Sequence, residues 1–456
     1  MKSFALTSAM LVAAVSANPT PTEQQQPNKR ASLPTVTASG NAFWADKNRF
    51  YVRGLDYQPG GSSGMADPLA DEDGCKRDIA KFKTLGINTV RVYAVDNSAD
   101  HKTCMSQLAD AGIYLIVDVN NPLYSINRDD PATSYNDVYL QSVFATIDEF
   151  VKYDNTLAFF SGNEVVNDKT DTTLAAPYVK ATTRDMRQYV SKRGYRKVPV
   201  GYSAADVSQN RWQLAQYFNC GSEEERSDFF AFNDYSWCNS NYEESGWNQK
   251  VQNFTGYGLP LFLSEYGCIT NGRSFGEVEA LMSDDMTPVY SGGLVYEYSE
   301  GGSGYGIVSI DGDSVSTKSD FAAYSTALAK NPAPTGDGGF TSTTNSATCP
   351  SADSNWLVSD TALPAIPTGA EKYMTKGAGT GPGLKGDGSQ NAGGTSTGDA
   401  SSGSGSETGS GSSSTATSTG GGKKSAGAVG PAPLDKGAFM VTGVVFLFTL
   451  VGTMLL

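Results

Sequence analysis

Leu157-Ala-Phe-Phe-Ser-Gly-Asn-Glu164 is a run of mainly apolar residues that stops abruptly at an amide and a carboxylate. A short, aromatic, bounded run of this kind reads as a buried strand. Its last residue then sits at the rim of a sheet, where the pKa of a carboxylate can be tuned for acid, base or nucleophile work. The chain repeats the arrangement at Leu261-Phe-Leu-Ser-Glu265-Tyr-Gly267. Either glutamate alone reads as a solvated residue just past its strand. Two in matching contexts point to a pair of carboxylates acting together, the pattern of glycosidic-bond chemistry.

Working outward, comparable runs recur at Phe50–Gly54, Thr89–Tyr93, Tyr114–Asp118, Val198–Tyr202, Phe229–Asn233 and Gly293–Tyr296, which makes eight strand candidates. Between them, Cys75–Leu85 (closed by Gly86), Val138–Tyr153 and Ala176–Lys192 carry helical periodicity. Strands alternating with helices, eight times over, predict an α/β fold, a (β/α)8 or TIM barrel. Active sites of such barrels form at the carboxyl ends of the strands. Polar residues gather there: Asp56-Tyr57-Gln58, Tyr93, Asp118 and Asn120, Asn163-Glu164, Asp206, Asp234-Tyr235, Glu265 and Tyr296. The two glutamates fall on strands four and seven, across the mouth from one another.

The rest of the chain sets the context. Residues 1–17 are apolar after Lys2 and end Val15-Ser16-Ala17, a signal-peptide pattern. Residues 18–32 are polar and include Lys29-Arg30, a candidate processing point. The catalytic domain is expected at 33–340, with a short extension at 341–375 tied back by Cys349. Residues 376–424 are rich in Ser, Gly and Thr and are expected to form a disordered stalk. Residues 425–456 begin with the small residues Ser425-Ala426-Gly427 and end in an apolar tail, the grammar of a GPI-anchor signal with attachment at Ser425. Asn253-Phe-Thr255 is an N-glycosylation sequon.

A net charge of −14 argues against a nucleic-acid partner held by phosphate neutralisation. The single histidine, His101, lies outside any apolar strand and is expected at the surface. It leaves no Ser-His-Asp or Cys-His apparatus. No CxxC spacing suggests a metal site, and no cofactor is expected. Six cysteines in a secreted chain are expected to form three disulfides.

The motifs Gly54-Leu-Asp-Tyr-Gln-Pro-Gly-Gly61, Arg91-Val-Tyr-Ala-Val95, Ser161-Gly-Asn-Glu-Val165, Asn233-Asp-Tyr-Ser-Trp-Cys238, Ser264-Glu-Tyr-Gly-Cys268 and Ser291-Gly-Gly-Leu-Val-Tyr-Glu-Tyr298 occur in this order. Together they resemble the fungal β-1,3-glucanosyltransferases of glycoside hydrolase family 72. The resemblance implies Glu164 as acid/base and Glu265 as nucleophile. It places Tyr93, Asn163, Tyr296 and the Asn120–Arg128 loop (Asn120, Ser125, Ile126, Asn127, Arg128) on the donor glucan. Asp206 and Arg211 would contact the acceptor, and Gln58, Asp118 and Tyr235 would lie near the cleft. It also implies the pairs Cys75–Cys104, Cys238–Cys268 and Cys220–Cys349. Only Cys349 follows residue 268, so the chain resembles the branch that lacks a cysteine-rich second module.

The expected function is internal cleavage of a β-1,3-glucan donor. The new reducing end would pass through a covalent glucosyl-enzyme to the non-reducing end of another chain, elongating wall glucan. The expected partners are donor and acceptor glucan and the plasma membrane through its anchor, with the protein a monomer. An endo-β-1,3-glucanase and a non-catalytic glucan-binding protein are the alternatives. In the retaining mechanism one carboxylate attacks while the other is protonated. Arg91 and a tyrosine such as Tyr235 are expected to hold Glu265 ionised, and partial burial with nearby negative charge to keep Glu164 protonated.

Overall fold

The computed structural model describes residues 1, 33–359, 362–390, 392 and 399–400. All of them fall in one compact unit, Met1–Gly409; the other unit, Ser410–Leu456, lies outside the described residues. The signal peptide after Met1, the polar 18–32 segment, most of the stalk and the anchor signal with Ser425 are likewise outside them.

Among the described residues the first element is a three-stranded antiparallel sheet, β1 (Val36–Ser39), β2 (Ala42–Ala45) and β3 (Asn48–Phe50). It then alternates: β4 (Val52–Asp56), α1 (Glu72–Leu85), β5 (Thr89–Val92), α2 (Lys102–Asp110), β6 (Tyr114–Asp118), α3 (Pro131–Ser134), α4 (Asp137–Phe150) and β7 (Thr156–Asn163). Next come α5 (Ala176–Lys192), β8 (Val200–Ala205), α6 (Arg211–Phe218), β9 (Phe229–Asn233), α7 (Trp247–Phe254), β10 (Leu261–Tyr266), α8 (Glu277–Leu281) and β11 (Tyr290–Val295). A hairpin, β12 (Val308–Asp311) and β13 (Ser314–Thr317), precedes α9 (Ser319–Lys330), and α10 (Thr368–Lys376) lies beyond it.

Strands β4 to β11 pair in parallel and close into an eight-stranded barrel, with β11 against β4. All eight strand candidates become barrel strands. Caps explain where helices start and stop. Asp71 accepts from the Gly74 amide at the head of α1, and Gly86, at φ 78°, ends it in the left-handed conformation that costs glycine least. Asn136 accepts from the Tyr139 amide at the head of α4.

Two apolar clusters form the core. The larger lies between barrel and helices. The smaller fills the barrel's lower interior with Ile116, Phe160, Phe229 and Phe262. The initial sheet closes that end: Phe43 on β2 packs 5.7 Å from Phe229 and 5.9 Å from Phe262. With one end plugged by aromatic rings, the polar residues at the strands' carboxyl ends occupy the other.

Three disulfides tie the loops: Cys75–Cys104, Cys220–Cys349 and Cys238–Cys268. These are the pairs the resemblance implies.

Two expectations are corrected. His101 is fully buried, with Nε2 2.7 Å from Asp67 and Nδ1 2.9 Å from Glu149. Its place outside any apolar strand concealed this, because the burial comes from segments distant in the chain. The stalk does not begin at 376 either: residues 377–390 lie against the barrel, and Ser389 is fully buried.

Candidate active site

Glu265, next to last in β10, accepts hydrogen bonds from Tyr93 Oη to Oε1 (2.8 Å) and from Tyr235 Oη to Oε2 (2.7 Å). Arg91 Nη1 approaches Oε1 at 3.3 Å. Arg91 itself is fully buried inside the barrel, stacked 4.2 Å from the Tyr93 ring and 4.6 Å from Phe160. Asp118 grips it through two bonds of 2.9 Å. Burial pushes the Glu265 carboxyl up to about 7; Arg91 opposes this, the Glu164 charge adds to it, and the two tyrosine bonds oppose it. Beneath lies Asp56, fully buried, 3.9 Å from Arg91 Nη1, with neither carboxylate oxygen hydrogen-bonded. Burial holds Asp56 well above the ordinary carboxylate range despite Arg91.

Glu164 follows β7 and is half-buried. Its φ of 48° is left-handed, an uncommon state for a residue with a side chain and one that recurs at functional sites. Asn233 Nδ2 donates to Glu164 Oε1 at 2.9 Å, and Asn233 stands in register with Glu265 on the adjacent strand. Asn163 Oδ1 accepts from Arg91 Nη2 (3.0 Å), Ser203 Oγ (2.6 Å) and Asn233 Nδ2 (3.2 Å). One polar network therefore runs from β7 through β8 and β9 to β10, and fixes the two carboxylates on either side of the mouth.

The remaining predicted residues divide by what they touch. Tyr296 is partly exposed, donates to Ser62 Oγ at 3.1 Å, and stands with Tyr235 and Tyr305 in an aromatic group whose centroids are 5.4 to 6.3 Å apart. Asn120, Ser125, Asn127 and Arg128 are half-buried and Ile126 buried in the loop after β6. Arg128 donates to the Glu164 carbonyl at 2.6 Å. Asp206 pairs with Arg211 and also with Lys250 at 2.6 Å, and Lys250 in turn bonds buried Asp234. Lys250 holds Asp234 below the usual carboxylate range, outweighing burial.

Gln58 and Asp118 are buried, and their polar atoms are engaged within the protein. Gln58 is buried and spends its amide on the Ala66 carbonyl and the Tyr93 and Ala94 amides; Asp118 is committed to Arg91. Both shape the site from behind. Sequence reasoning missed Asn233, Ser203, Lys250 and Tyr305. Asn233 carries the same strand-end signal as Asn163, whereas Lys250 and Tyr305 sit on a helix and a loop with no pattern to mark them. Asn253 of the sequon is exposed. Among the described residues no group of three or more His, Cys, Asp or Glu side chains could hold a metal ion.

The family model described as glucanosyltransferase (glycoside hydrolase family 72) matches residues 25–332. The chain is 61% identical over 388 residues to the 1,3-beta-glucanosyltransferase gel1 of Aspergillus fumigatus, covering 85% of each. It is 50% identical to the 1,3-beta-glucanosyltransferase GAS5 of Saccharomyces cerevisiae, covering 78% of this chain and 75% of that one. Among solved structures, a mutant of Saccharomyces cerevisiae Gas2p in complex with laminaritetraose and laminaripentaose superposes with a TM-score of 0.68 at 36% identity, covering 74% of this chain and 75% of that one.

Proposed function

The chain belongs to the glucanosyltransferase family, glycoside hydrolase family 72, and from that premise we propose how its residues perform the transfer. It is an enzyme that transfers β-1,3-glucan. Glu265 is the nucleophile and Glu164 the acid/base. The observation that carries this assignment is the contrast in their surroundings. Glu265 is set in a buried cradle of Arg91, Tyr93 and Tyr235, which suits a fixed attacking oxygen; Glu164 is half-exposed at the cleft, which suits a group that must meet departing and arriving hydroxyls.

The retaining mechanism places one proton between the two carboxylates, on Glu164. The Glu164 charge raises Glu265, so a proton on Glu164 removes that repulsion and frees Glu265 to ionise. In the first step a Glu265 oxygen bonds the anomeric carbon. The glycosidic C–O bond breaks, and the proton on Glu164 passes to the leaving oxygen. In the second step Glu164 takes the proton of an incoming sugar hydroxyl, whose oxygen displaces Glu265 from the anomeric carbon. The carboxylate is regenerated, and the configuration, inverted twice, is retained. Tyr296, Asn163 and the Asn120–Arg128 loop hold the donor, and Asp206 and Arg211 the acceptor. The protein acts as a monomer on wall glucan, held at the plasma membrane by a GPI anchor.

The test is incubation with a reduced β-1,3-gluco-oligosaccharide, reading product lengths by mass spectrometry. Products longer than the substrate are expected, and they should vanish in Glu164→Gln and Glu265→Gln. Only shorter products would make the enzyme a hydrolase.

A further inference from the structure

The glycine-rich segment after α10 reads as the start of a linker, yet three of its glycines stand where an added Cβ would press on a neighbour. A Cβ at Gly381 would fall 2.2 Å from Asn97 Oδ1, one at Gly386 2.1 Å from the Tyr124 hydroxyl, and one at Gly388 2.9 Å from the Leu123 carbonyl oxygen. Close approach of backbone to neighbour is what glycine permits and a side chain forbids.

The segment is bonded as well as packed. Gln141 Nε2 donates to the Ala378 and Thr380 carbonyls, and the Gly383 amide donates to Asn97 Oδ1. The Ser389 amide then donates to the Leu123 carbonyl at 2.9 Å, while Asn136 Nδ2 donates to the Ser389 carbonyl at 2.6 Å. Finally Gln390 Nε2 donates to both the carbonyl (2.8 Å) and the hydroxyl (3.1 Å) of Ser125. The strap thus leaves helix α4, crosses the loop after β5, and ends on the loop after β6. That loop's other end is fastened to the reacting centre by Arg128 on the Glu164 carbonyl.

We propose that residues 381–390 are a positioning strap for the donor glucan: by clamping Leu123 and Ser125, with Gln390 and Gly386 as the key residues, the strap fixes the Asn120–Arg128 loop in the shape that binds the donor chain. This rests on the reading above that the loop binds donor. The strap touches no reacting atom, so its effect appears in donor binding rather than in the chemical step. A loop already held in its bound shape loses less entropy on binding.

The test uses the full chain with three single variants, measuring donor KM, kcat and thermal transition. Gln390→Glu is isosteric but turns the donating nitrogen into an oxygen facing the Ser125 carbonyl. Gly386→Ala drives a methyl into the Tyr124 hydroxyl. Asn127→Ala probes the loop itself. We expect Gln390→Glu and Gly386→Ala to raise donor KM about three- to tenfold, the worth of one net hydrogen bond. The kcat should stay within about twofold of the parent, and the melt should move by no more than about 3 °C. If Asn127→Ala raises donor KM but both strap variants leave it at the parental value, the strap inference is overturned and the loop reading survives. If Asn127→Ala leaves donor KM unchanged, the loop reading falls and takes the strap with it. A fall in kcat or in melting temperature with KM unmoved would make the strap merely structural.

Discussion

Arg91 reaches Glu265 with Nη1 at 3.3 Å while Asp118 holds its opposite edge through two bonds of 2.9 Å. One buried guanidinium thus hydrogen-bonds two carboxylates, and its planar fork makes both contacts at once. Asp118 anchors the cation, the cation anchors Glu265, and the Tyr93 ring stacked on it supplies a hydroxyl to the same carboxylate.

Arg91→Lys keeps a positive charge but offers a single point in place of a fork. It cannot satisfy Asp118 and still reach Glu265. Transfer activity is expected to fall on the order of a hundredfold, as when one fixed polar contact to a reacting centre is removed. Arg91 lowers the Glu265 pKa, so a cation drawn to Asp118 and away from Glu265 raises that pKa further. A nucleophile that must be ionised then needs a higher pH, and the acid limb of kcat/KM should move upward. A pH–rate profile checks this; an unmoved limb would contradict the role given to Arg91.

Glu265 also sets stability against pH. Its folded value, about 7, lies above the unfolded carboxyl value, so the folded state binds the proton more tightly. The sign follows: the contribution is fully present below about 4.5 and is lost as pH rises through 7. Glu265→Gln carries no charge to bury. It should be inactive yet more stable than the parent at pH 8, by on the order of 2 kcal/mol, with the difference closing near pH 4. Urea unfolding at the two pH values measures it. A variant less stable at pH 8 would show that Glu265 contributes more through its bonds than it costs through burial.

The barrel was legible because each strand is a dense apolar run ended by a polar residue, and Glu164 and Glu265 stand at such ends. What escaped notice has a common physical cause. His101 lies between Asp100 and Lys102, and only packing between remote segments buries it. The glycines of 381–388 look like linker because composition cannot distinguish a glycine chosen for freedom from one chosen for close approach. The sheet of β1 to β3 lacks a strong pattern because its strands are three or four residues long. Gln58 and Asp118 sit at the right strand ends but turn their polar atoms into the protein.

The cluster proposed to meet the acceptor predicts a division between Arg211 and Lys250. Arg211 is half-buried, so Arg211→Ala leaves Asp206 still paired with Lys250. It should fold normally and shift products from transfer toward hydrolysis, read as the ratio of lengthened to shortened oligosaccharides. Lys250 instead separates Asp206 from buried Asp234. Lys250→Met should cost about 3–5 kcal/mol in stability, the loss typical of an uncompensated buried charge. Equal product ratios in Arg211→Ala and parent would remove Arg211 from the acceptor site.

His101 gives a second, separable pH dependence. Burial alone would lower its pKa, but bonds to Asp67 and Glu149 outweigh this and raise it to about 9. The cation's contribution is therefore present below the unfolded value near 6.5 and is lost as pH climbs through 9. Asp67 also accepts from the Asp96 amide, so the cluster fastens the loop that follows β5. His101→Gln, which keeps a neutral polar side chain of similar reach, should lower stability at pH 6 and flatten its decline between pH 6.5 and 9. The Glu265 decline, which lies at lower pH, should remain. A parallel loss at every pH would mean that His101 acts by packing alone, through its contact with the Phe150 ring 4.6 Å away.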